Sequence, residues 1–272
     1  MTKTNIASKN QIIGSETKHI ILIGAGNVAT HISRHLYAQG HKIECVWSRT
    51  PGPARALAGV VGAKATSTVS EVPQKADFYI LAIPDGAVAG MATEFADCQG
   101  IWLHTSGALS MDVFKGLFPE YGVLYPLQTL SRAHPLPLGH IPFLVEGSSV
   151  EVSEKVHDLA SSISERVEAA DSPTRLIIHL AAVFANNFSN HMVHIAHQIL
   201  KEQNLSVAML DPLLEETFQK ITRVGAREAQ TGPAFRDDHE TMKRHIELLK
   251  NHPEWEKLYT FISREIEKSR EE

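Results

Sequence analysis

The glycine-rich segment GAGNVA at residues 24–29 has the spacing GxGxxG, with Ala29 in place of the third glycine. Each of these positions has a separate physical requirement. Gly24 permits a tight turn, Gly26 lets a ligand approach the backbone, and a small residue at 29 lets a helix pack closely on a strand. A helix that begins at such a turn presents unpaired N–H groups and a partial positive charge. The segment therefore predicts a binding site for the pyrophosphate of a dinucleotide.

The end of the second predicted strand distinguishes between two dinucleotides. NAD sites place an acidic residue there, which binds the ribose hydroxyls, whereas this chain has Ser48, Arg49 and Thr50. A guanidinium and two hydroxyls suit a 2′-phosphate, and Glu44 lies inside the strand, too early for the acidic role. The pattern favours NADP over NAD. The alternative is that Arg49 is only a solvated loop residue.

Residues 82–84 (Ala-Ile-Pro) stand at the end of a later apolar strand. In dinucleotide-binding folds such a strand end borders the nicotinamide, so these residues are predicted to line the cofactor pocket. The sequence Pro-Asp-Gly at 84–86 predicts a turn that leads the chain away. An ordinary strand-to-turn junction would explain the same residues without any function.

The segment HTSGA at residues 104–108 follows the next predicted strand, at the edge where ligands bind in open α/β sheets. His104 and Ser106 could bind a carboxylate or a carbonyl, or donate a proton. The same residues could instead only cap a helix predicted to begin near residue 110. Both interpretations remain open at this point.

A long helix predicted at 174–203 has one apolar face and one polar stripe. The apolar residues are Ile177, Ala181, Phe184, Phe188, Met192, Ile195 and Ile199. The polar residues are His179, Asn186, Asn190 and His197, flanked by Asn187 and His194. Uncharged amides and imidazoles favour a partly buried face, which could be a cleft wall, an interface or an internal hydrogen-bonded network. No carboxylate or cysteine accompanies the histidines, so we predict no metal site.

A second group of polar residues in the C-terminal half is the segment TGPAFRDD at residues 231–238. Its Gly-Pro pair ends one helix, and Asp238 is placed to cap the next. Arg236 is a candidate for binding an anionic substrate or for positioning an acid. A purely structural role for the segment is the alternative.

The elements that must position these residues follow from hydrophobic periodicity. We predict strands at 19–23, 43–47, 62–65, 78–83, 101–104, 122–125, 143–145 and 166–170, and helices at 27–39, 53–60, 152–164, 174–203, 211–229, from about 238, and 253–268. This alternation predicts an α/β fold, a doubly wound and mostly parallel Rossmann-type sheet followed by an all-α C-terminal domain. The predicted divisions are a disordered tail (1–17), a dinucleotide-binding domain (18–170) and a helical domain (171–272).

Composition excludes several classes of protein. The 272 residues carry a net charge of −5 without a basic run, which argues against a nucleic-acid partner. No apolar run approaches the roughly 20 residues of a membrane span, and residues 1–17 show no export signal. Cys45 and Cys98 lie outside any CxxC arrangement, which is typical of a reducing compartment. We therefore predict a cytoplasmic protein with no membrane partner.

Taken in order, GAGNVA, HTSGA, YPLQT at 125–129 and TGPAFRDD resemble a specific bacterial family. Its members pair a Rossmann-like NADP-oxidoreductase domain with a helical C-terminal domain of unknown function, and the resemblance covers residues 19 to about 268. The family is similar to deazaflavin-dependent NADP reductases, pyrroline-5-carboxylate reductases and β-hydroxyacid dehydrogenases. That relation implies a homodimer built through the helical domains, with a substrate cleft between domains.

The chain departs from these relatives at two places. The hydroxyacid enzymes carry a catalytic lysine four residues before an asparagine, and the matching positions here are Ala182 and Val183. The usual Arg-Gly-Asp ending of the last motif reads Arg236-Asp237-Asp238, which is expected to change the local turn. A lysine-dependent mechanism is therefore not expected.

We predict an NADP-dependent oxidoreductase that transfers hydride between the nicotinamide and a small carbonyl, imine or redox-cofactor substrate. The predicted cofactor-binding residues are Gly24, Ala25, Gly26, Asn27, Val28, Ser48, Arg49, Thr50, Ala82, Ile83 and Pro84. The predicted catalytic residues are His104, Ser106, His179, Asn187 and Arg236. The alternative is a non-catalytic nucleotide-sensing or scaffold dimer, which the missing lysine favours and the intact glycine turn opposes.

Overall fold

A computed structural model describes residues 16–271, so residues 1–15 of the predicted tail lie outside the described residues. Between residues 16 and 271 a single sheet contains eight strands: β1 (His19–Ile23), β2 (Lys42–Trp47), β3 (Lys64–Thr66), β4 (Lys75–Leu81), β5 (Gln99–His104), β6 (Tyr121–Pro126), β7 (Phe143–Gly147) and β8 (Val167–Ala169). Every segment that the sequence predicted as a strand overlaps one of them.

The strand order is β3-β2-β1-β4-β5-β6-β7-β8, and all neighbouring pairs are parallel except β6–β7. The order 3-2-1-4-5-6 is that of two mononucleotide-binding halves, with a crevice where the order reverses at β1 and β4. The predicted doubly wound, mostly parallel sheet is thereby confirmed.

Helices cover both faces of the sheet because its central strands are apolar on both sides. Ile20 and Leu22 of β1 belong to one buried cluster, and Ile21 and Ile23 belong to the other. The first cluster includes side chains of α1 (Asn27–Ala38), α2 (Pro51–Val61) and α4 (Val150–Ser161), and the second includes those of α3 (Asp85–Glu94).

The remaining helices follow the sheet: α5 (Ser172–Ala182), a π-helical turn (Val183–Phe188), α6 (Ser189–Glu202), α7 (Asp211–Val224), α8 (Ala226–Ala229), α9 (His239–Leu248) and α10 (Pro253–Glu271). The all-α C-terminal region is therefore confirmed. None of the helices within residues 16–271 combines the length and the apolar character that a membrane span requires.

Several predicted elements have different boundaries in the structure. The turn predicted at 84–86 is wrong, because Asp85 begins α3, where a carboxylate in the first turn is favourable. The helix predicted near residue 110 is only a 3₁₀ turn, Met111–Phe114. The helix predicted at 211–229 is broken at Gly225, whose φ of 92° is not helical.

The long helix predicted at 174–203 is helical as far as Glu202 but contains the π turn, and its apolar face is not uniformly buried. Ile195 is buried, whereas Ile177 is 69% exposed. The described chain therefore covers only some of the face that the sequence predicted to be apolar.

The chain divides into two compact units, the first of which ends at Asn186 and the second of which begins at Asn187. The sequence predicts this division near residue 170. The first unit continues further because Ser172 and Arg175 of α5 are hydrogen-bonded to Glu146 of β7. The functions predicted for the two domains stay predictions.

Candidate functional site

The turn after β1 is compressed between the ends of two neighbouring strands. The Gly24 N–H donates to the Trp47 carbonyl at the end of β2 (2.8 Å), and the Ala82 N–H after β4 donates to the Ile23 carbonyl (2.9 Å). Gly24 has a φ of 115°, and a side chain there would overlap the Ala82 carbonyl oxygen. Only glycine fits this position, and the turn brings the predicted cofactor residues after β1, β2 and β4 to one edge of the sheet.

Gly26 is a glycine that the fold itself does not require. Its φ of −80° suits any residue, and a Cβ at this position would meet no atom within 4 Å. No side chain of the described residues caps α1, and no acidic residue lies in its first turn. Gly26 therefore leaves an open space beside the unpaired N–H groups of α1, which suits the close approach of an anion such as a pyrophosphate.

The residues after β2 offer a cation but no carboxylate. Arg49 and Thr50 are exposed, and Ser48 is half-buried with its N–H on the Thr66 carbonyl (3.1 Å). The carboxylate of Glu44 is occupied elsewhere, by Lys42 (2.7 Å) and His19 (2.6 Å). The charges at this strand end suit a phosphate better than ribose hydroxyls alone.

His104 does not have the exposure that its predicted role needs. Its side chain is fully buried, and the Ser106 N–H donates to its Nδ1 (3.2 Å). Burial lowers the pKa of His104 to about 3, and the nearby charge of Arg175 acts in the same direction. His104 is therefore a buried, neutral group that orders the HTSGA turn, and its burial does not favour the predicted contact with a nicotinamide or proton donation. The catalytic role predicted for His104 stays a prediction.

Ser106 orders the same turn from its outer side. Its hydroxyl donates to Asp85 Oδ2 at the start of α3 (2.8 Å) and accepts from the N–H groups of Ala108 (3.1 Å) and Leu109 (3.0 Å). These bonds support the capping interpretation of the segment. A direct catalytic role for Ser106 stays a prediction.

A tyrosine–histidine pair that the sequence did not predict lies beside this turn. The Tyr125 hydroxyl, near the carboxyl end of β6, is 3.1 Å from Nδ1 of His179 on α5. A Cβ at Gly107 would lie 2.6 Å from that Nδ1 and 2.8 Å from Tyr125 Cζ, so the glycine of HTSGA is required by its packing on the pair. Both side chains are half-buried, and burial raises the pKa of the Tyr125 phenol.

The buried Arg175 anchors α5, the helix that carries His179. Its Nη1 donates to Glu146 Oε2 (2.5 Å) and its Nη2 to the Leu109 carbonyl (2.6 Å), and its side chain is 1% exposed. Residues four apart on a helix lie on the same face, so Arg175 and His179 are on the face of α5 that packs against the sheet, where His179 is next to Tyr125. No sequence signal pointed to Arg175, because one arginine in a helix is ordinarily solvated.

Two other predicted site residues belong to the second unit. Asn187 is exposed and lies in the π-helical turn. Arg236 is exposed at the end of a 3₁₀ turn, where Asp237 adopts a φ of 55°. Asp237 therefore takes the left-handed conformation that glycine adopts more readily. The Asp238 side chain accepts from the Thr241 N–H (3.1 Å), which confirms the predicted cap of α9.

Among the described residues, no three His, Cys, Asp or Glu side chains are grouped closely enough to hold a metal ion. The open backbone at Gly26, the cation after β2 and the short segment 82–84 after β4 together fit a dinucleotide. The Tyr125–His179 pair lies along the same carboxyl edge of the parallel strands, where a reacting group would be placed next to that cofactor.

Two family models match separate segments of the chain. The model described as "NADP oxidoreductase coenzyme F420-dependent" matches residues 19–101, which include the glycine turn. The model described as "Domain of unknown function (DUF2520)" matches residues 141–266. No curated protein matches the chain.

Solved structures share the fold over nearly the whole chain. The "putative NADP oxidoreductase BF3122" of Bacteroides fragilis is 39% identical with a TM-score of 0.88, covering 93% of this chain and 98% of that one. Protein TM1727 of Thermotoga maritima is 22% identical with a TM-score of 0.80, covering 93% and 100%. An imine reductase of Myxococcus stipitatus in complex with NADP+ is 14% identical with a TM-score of 0.62, covering 92% and 94%. The last two likenesses show the fold alone.

Proposed function

The chain belongs to the oxidoreductase family in which an NADP oxidoreductase domain precedes the DUF2520 domain, and on this premise we propose that it is an NADPH-dependent reductase of small imine or carbonyl compounds. The observation that carries the proposal is the open space at Gly26, beside a helix N-terminus that no side chain between residues 16 and 271 caps and whose first turn has no acidic residue. Protein packing does not account for a glycine there, whereas a bound pyrophosphate does.

We propose NADPH rather than NADH because of the charges at the end of β2. Arg49 is exposed and suits a 2′-phosphate, and the nearest acid in the strand, Glu44, is paired with Lys42 and His19. Charge-assisted hydrogen bonds to a phosphate contribute about 1.5–3 kcal/mol each. That contribution is available only to the cofactor that carries the 2′-phosphate.

Replacing Arg49 by glutamate should weaken NADPH binding at least tenfold and change NADH binding less than twofold, as measured by calorimetric titration. Tenfold corresponds to about 1.4 kcal/mol, which is below the value of one charge-assisted bond. The matched control is Lys75→Glu, the same charge reversal at an exposed residue at the opposite end of β4. Equal losses for NADPH and NADH would remove the 2′-phosphate assignment.

Tyr125 is the group that we propose as the proton donor. Bound NADPH supplies a hydride to the carbon of a C=N or C=O bond. Tyr125 gives its hydroxyl proton to the nitrogen or oxygen of that bond, which yields an amine or alcohol and leaves NADP+. His179, in the tautomer with Nδ1–H, donates to the phenol oxygen and stabilises the phenolate until it regains a proton from water. A carbonyl or imine needs such a proton. The proposal therefore keeps these two substrate classes and leaves out the redox-cofactor substrate that the sequence analysis also included.

The non-catalytic sensor remains the competing function, and one assay distinguishes the two. NADPH oxidation is measured with cyclic imines, 2-oxo acids and aldehydes. Turnover of any of these supports the reductase. Cofactor binding with no turnover across all three classes would support the sensor.

A second copy of this chain is the partner that we propose. Large apolar side chains of the helical region are exposed, among them Ile177 and Leu180 of α5 and Leu213 and Phe218 of α7. Exposed apolar surface of this extent is typical of an interface. Light scattering should give a mass of twice 30.0 kDa, and a monomeric mass would contradict the dimer.

Cys45 and Cys98 are free thiols, which suits the cytoplasm that we propose as the compartment of this protein.

A further inference from the structure

The segment that joins β6 to β7, residues 127–142, lies across helix α1, and we call it the strap. Its two ends meet where the Leu127 N–H donates to the Pro142 carbonyl (2.8 Å). Nε2 of the buried His31 is 3.0 Å from the Ser131 carbonyl, and Nε2 of His35 accepts from the Leu138 N–H (3.3 Å). Two histidines of α1 therefore fix the strap over the helix that begins at the glycine turn.

The strap places one guanidinium at that turn. The Arg132 N–H donates to Asn27 Oδ1 (3.4 Å), and Arg132 Nη1 donates to the Ala25 carbonyl (3.4 Å). Both contacts are long, and none of the ion pairs among the described residues includes Arg132. Within the part of the chain that the structure describes, an exposed guanidinium with five donors is thus held beside a backbone turn with a neutral carbonyl as its one partner.

The charges around the glycine turn favour a cationic side chain there, in addition to the partial positive charge of the α1 N-terminus. The chain has a net charge of −5, so an anionic ligand must be held by local groups. The N-terminus of α1 contributes only a partial positive charge, whereas a pyrophosphate carries two negative charges. A guanidinium fits phosphate oxygens through two parallel hydrogen bonds.

We propose that Arg132, which the strap holds beside the glycine turn, binds the pyrophosphate of the dinucleotide. The inference rests on the proposed cofactor site and adds a residue 107 positions away from the turn. It also separates the roles of two arginines. Arg132 contacts the turn after β1, where the pyrophosphate is expected, and Arg49 follows β2, where the 2′-phosphate is expected.

The test is calorimetric titration of the full chain with NADPH and with NADH at pH 8. Arg132→Ala should weaken both cofactors about tenfold and by the same factor, because both carry the pyrophosphate, and Arg132→Lys should retain some of the affinity. Arg49→Glu should weaken NADPH alone. The matched control is His134→Ala, because His134 is an exposed side chain of the same strap.

The possible results separate this inference from the proposed function. If the unsubstituted chain binds NADPH and Arg132→Ala binds it as His134→Ala does, the Arg132 inference is wrong and the cofactor site stands. If Arg132→Ala weakens NADPH but not NADH, Arg132 contacts the 2′-phosphate and the pyrophosphate assignment is wrong. If the unsubstituted chain binds neither cofactor, the proposed function fails and the inference fails with it.

Discussion

Replacing Arg175 by methionine is expected to lower the free energy of unfolding by about 3–5 kcal/mol, the usual loss when one partner of a buried ion pair is removed. The guanidinium is fully buried between Glu146 of β7 and the Leu109 carbonyl. Methionine fills a similar volume but leaves the Glu146 carboxylate, 11% exposed, without a cation beside it. Chemical denaturation followed by circular dichroism measures the change.

The double variant Arg175→Met/Glu146→Gln is the matched control. It removes both charges, and the glutamine still offers an acceptor to Ser172, whose N–H and hydroxyl donate to Glu146. A buried pair replaced as a whole is tolerated better than one left incomplete, so the double variant should be more stable than the single one. A single variant that loses less than about 1 kcal/mol, within the range of ordinary substitutions, would contradict this role of the pair.

Replacing Tyr125 by phenylalanine is expected to lower kcat/KM for NADPH-dependent reduction by about 10²–10⁴, the usual contribution of general acid catalysis. Phenylalanine keeps the ring beside Gly107 and His179 but removes the hydroxyl that gives the proton. NADPH affinity should change less than twofold because the hydroxyl does not belong to the proposed cofactor site. The rate is measured on whichever imine or carbonyl compound supports the fastest NADPH oxidation.

The pH profile tells a proton donor from a residue that only supports the fold. Burial raises the pKa of Tyr125 above the ordinary value of about 10, against a smaller opposing effect of the Arg175 charge. The protonated phenol is the active form, so the rate of reduction should fall only when the pH rises through the raised pKa of Tyr125. This high-pH limb should be absent in Tyr125→Phe and present in the control Tyr121→Phe, which makes the same change in the same strand. A Tyr125→Phe enzyme with an unchanged rate would remove Tyr125 from the reaction.

The sequence predicted the sheet well because its signals are local. A run such as Ile20–Ile23 indicates a strand buried on both faces whatever surrounds it, and the spacing of Gly24 and Gly26 locates the turn. The family resemblance, which is confirmed, could also be predicted from local signals because its motifs are contiguous segments. What the sequence could not separate is why each glycine is there: Gly24 is required by the packing of the protein, and Gly26 is not.

The candidate site was harder to predict because its contacts join distant segments. Tyr125 and His179 are 54 residues apart, and no periodicity relates a strand residue to a helix residue. His104 was predicted as a catalytic group from its residue type and its place at a strand end, but burial and the nearby charge of Arg175 both lower its pKa, and neither can be inferred from local sequence. Ile177 was predicted to lie on an apolar face, and a pattern of apolar residues cannot tell a core from an exposed surface.

The most direct test of the central claim, that the glycine turn binds NADPH, is calorimetric titration of the unsubstituted chain and of Gly26→Leu with NADPH and NADH. The extended backbone at Gly26 and the space around a Cβ there are compatible with a side chain, so Gly26→Leu should still unfold cooperatively, which chemical denaturation checks. We expect micromolar NADPH binding to the unsubstituted chain, at least tenfold tighter than NADH, or about 1.4 kcal/mol, and no measurable binding to Gly26→Leu. Failure of the unsubstituted chain to bind either cofactor, or equal binding by a folded Gly26→Leu variant, would contradict the claim.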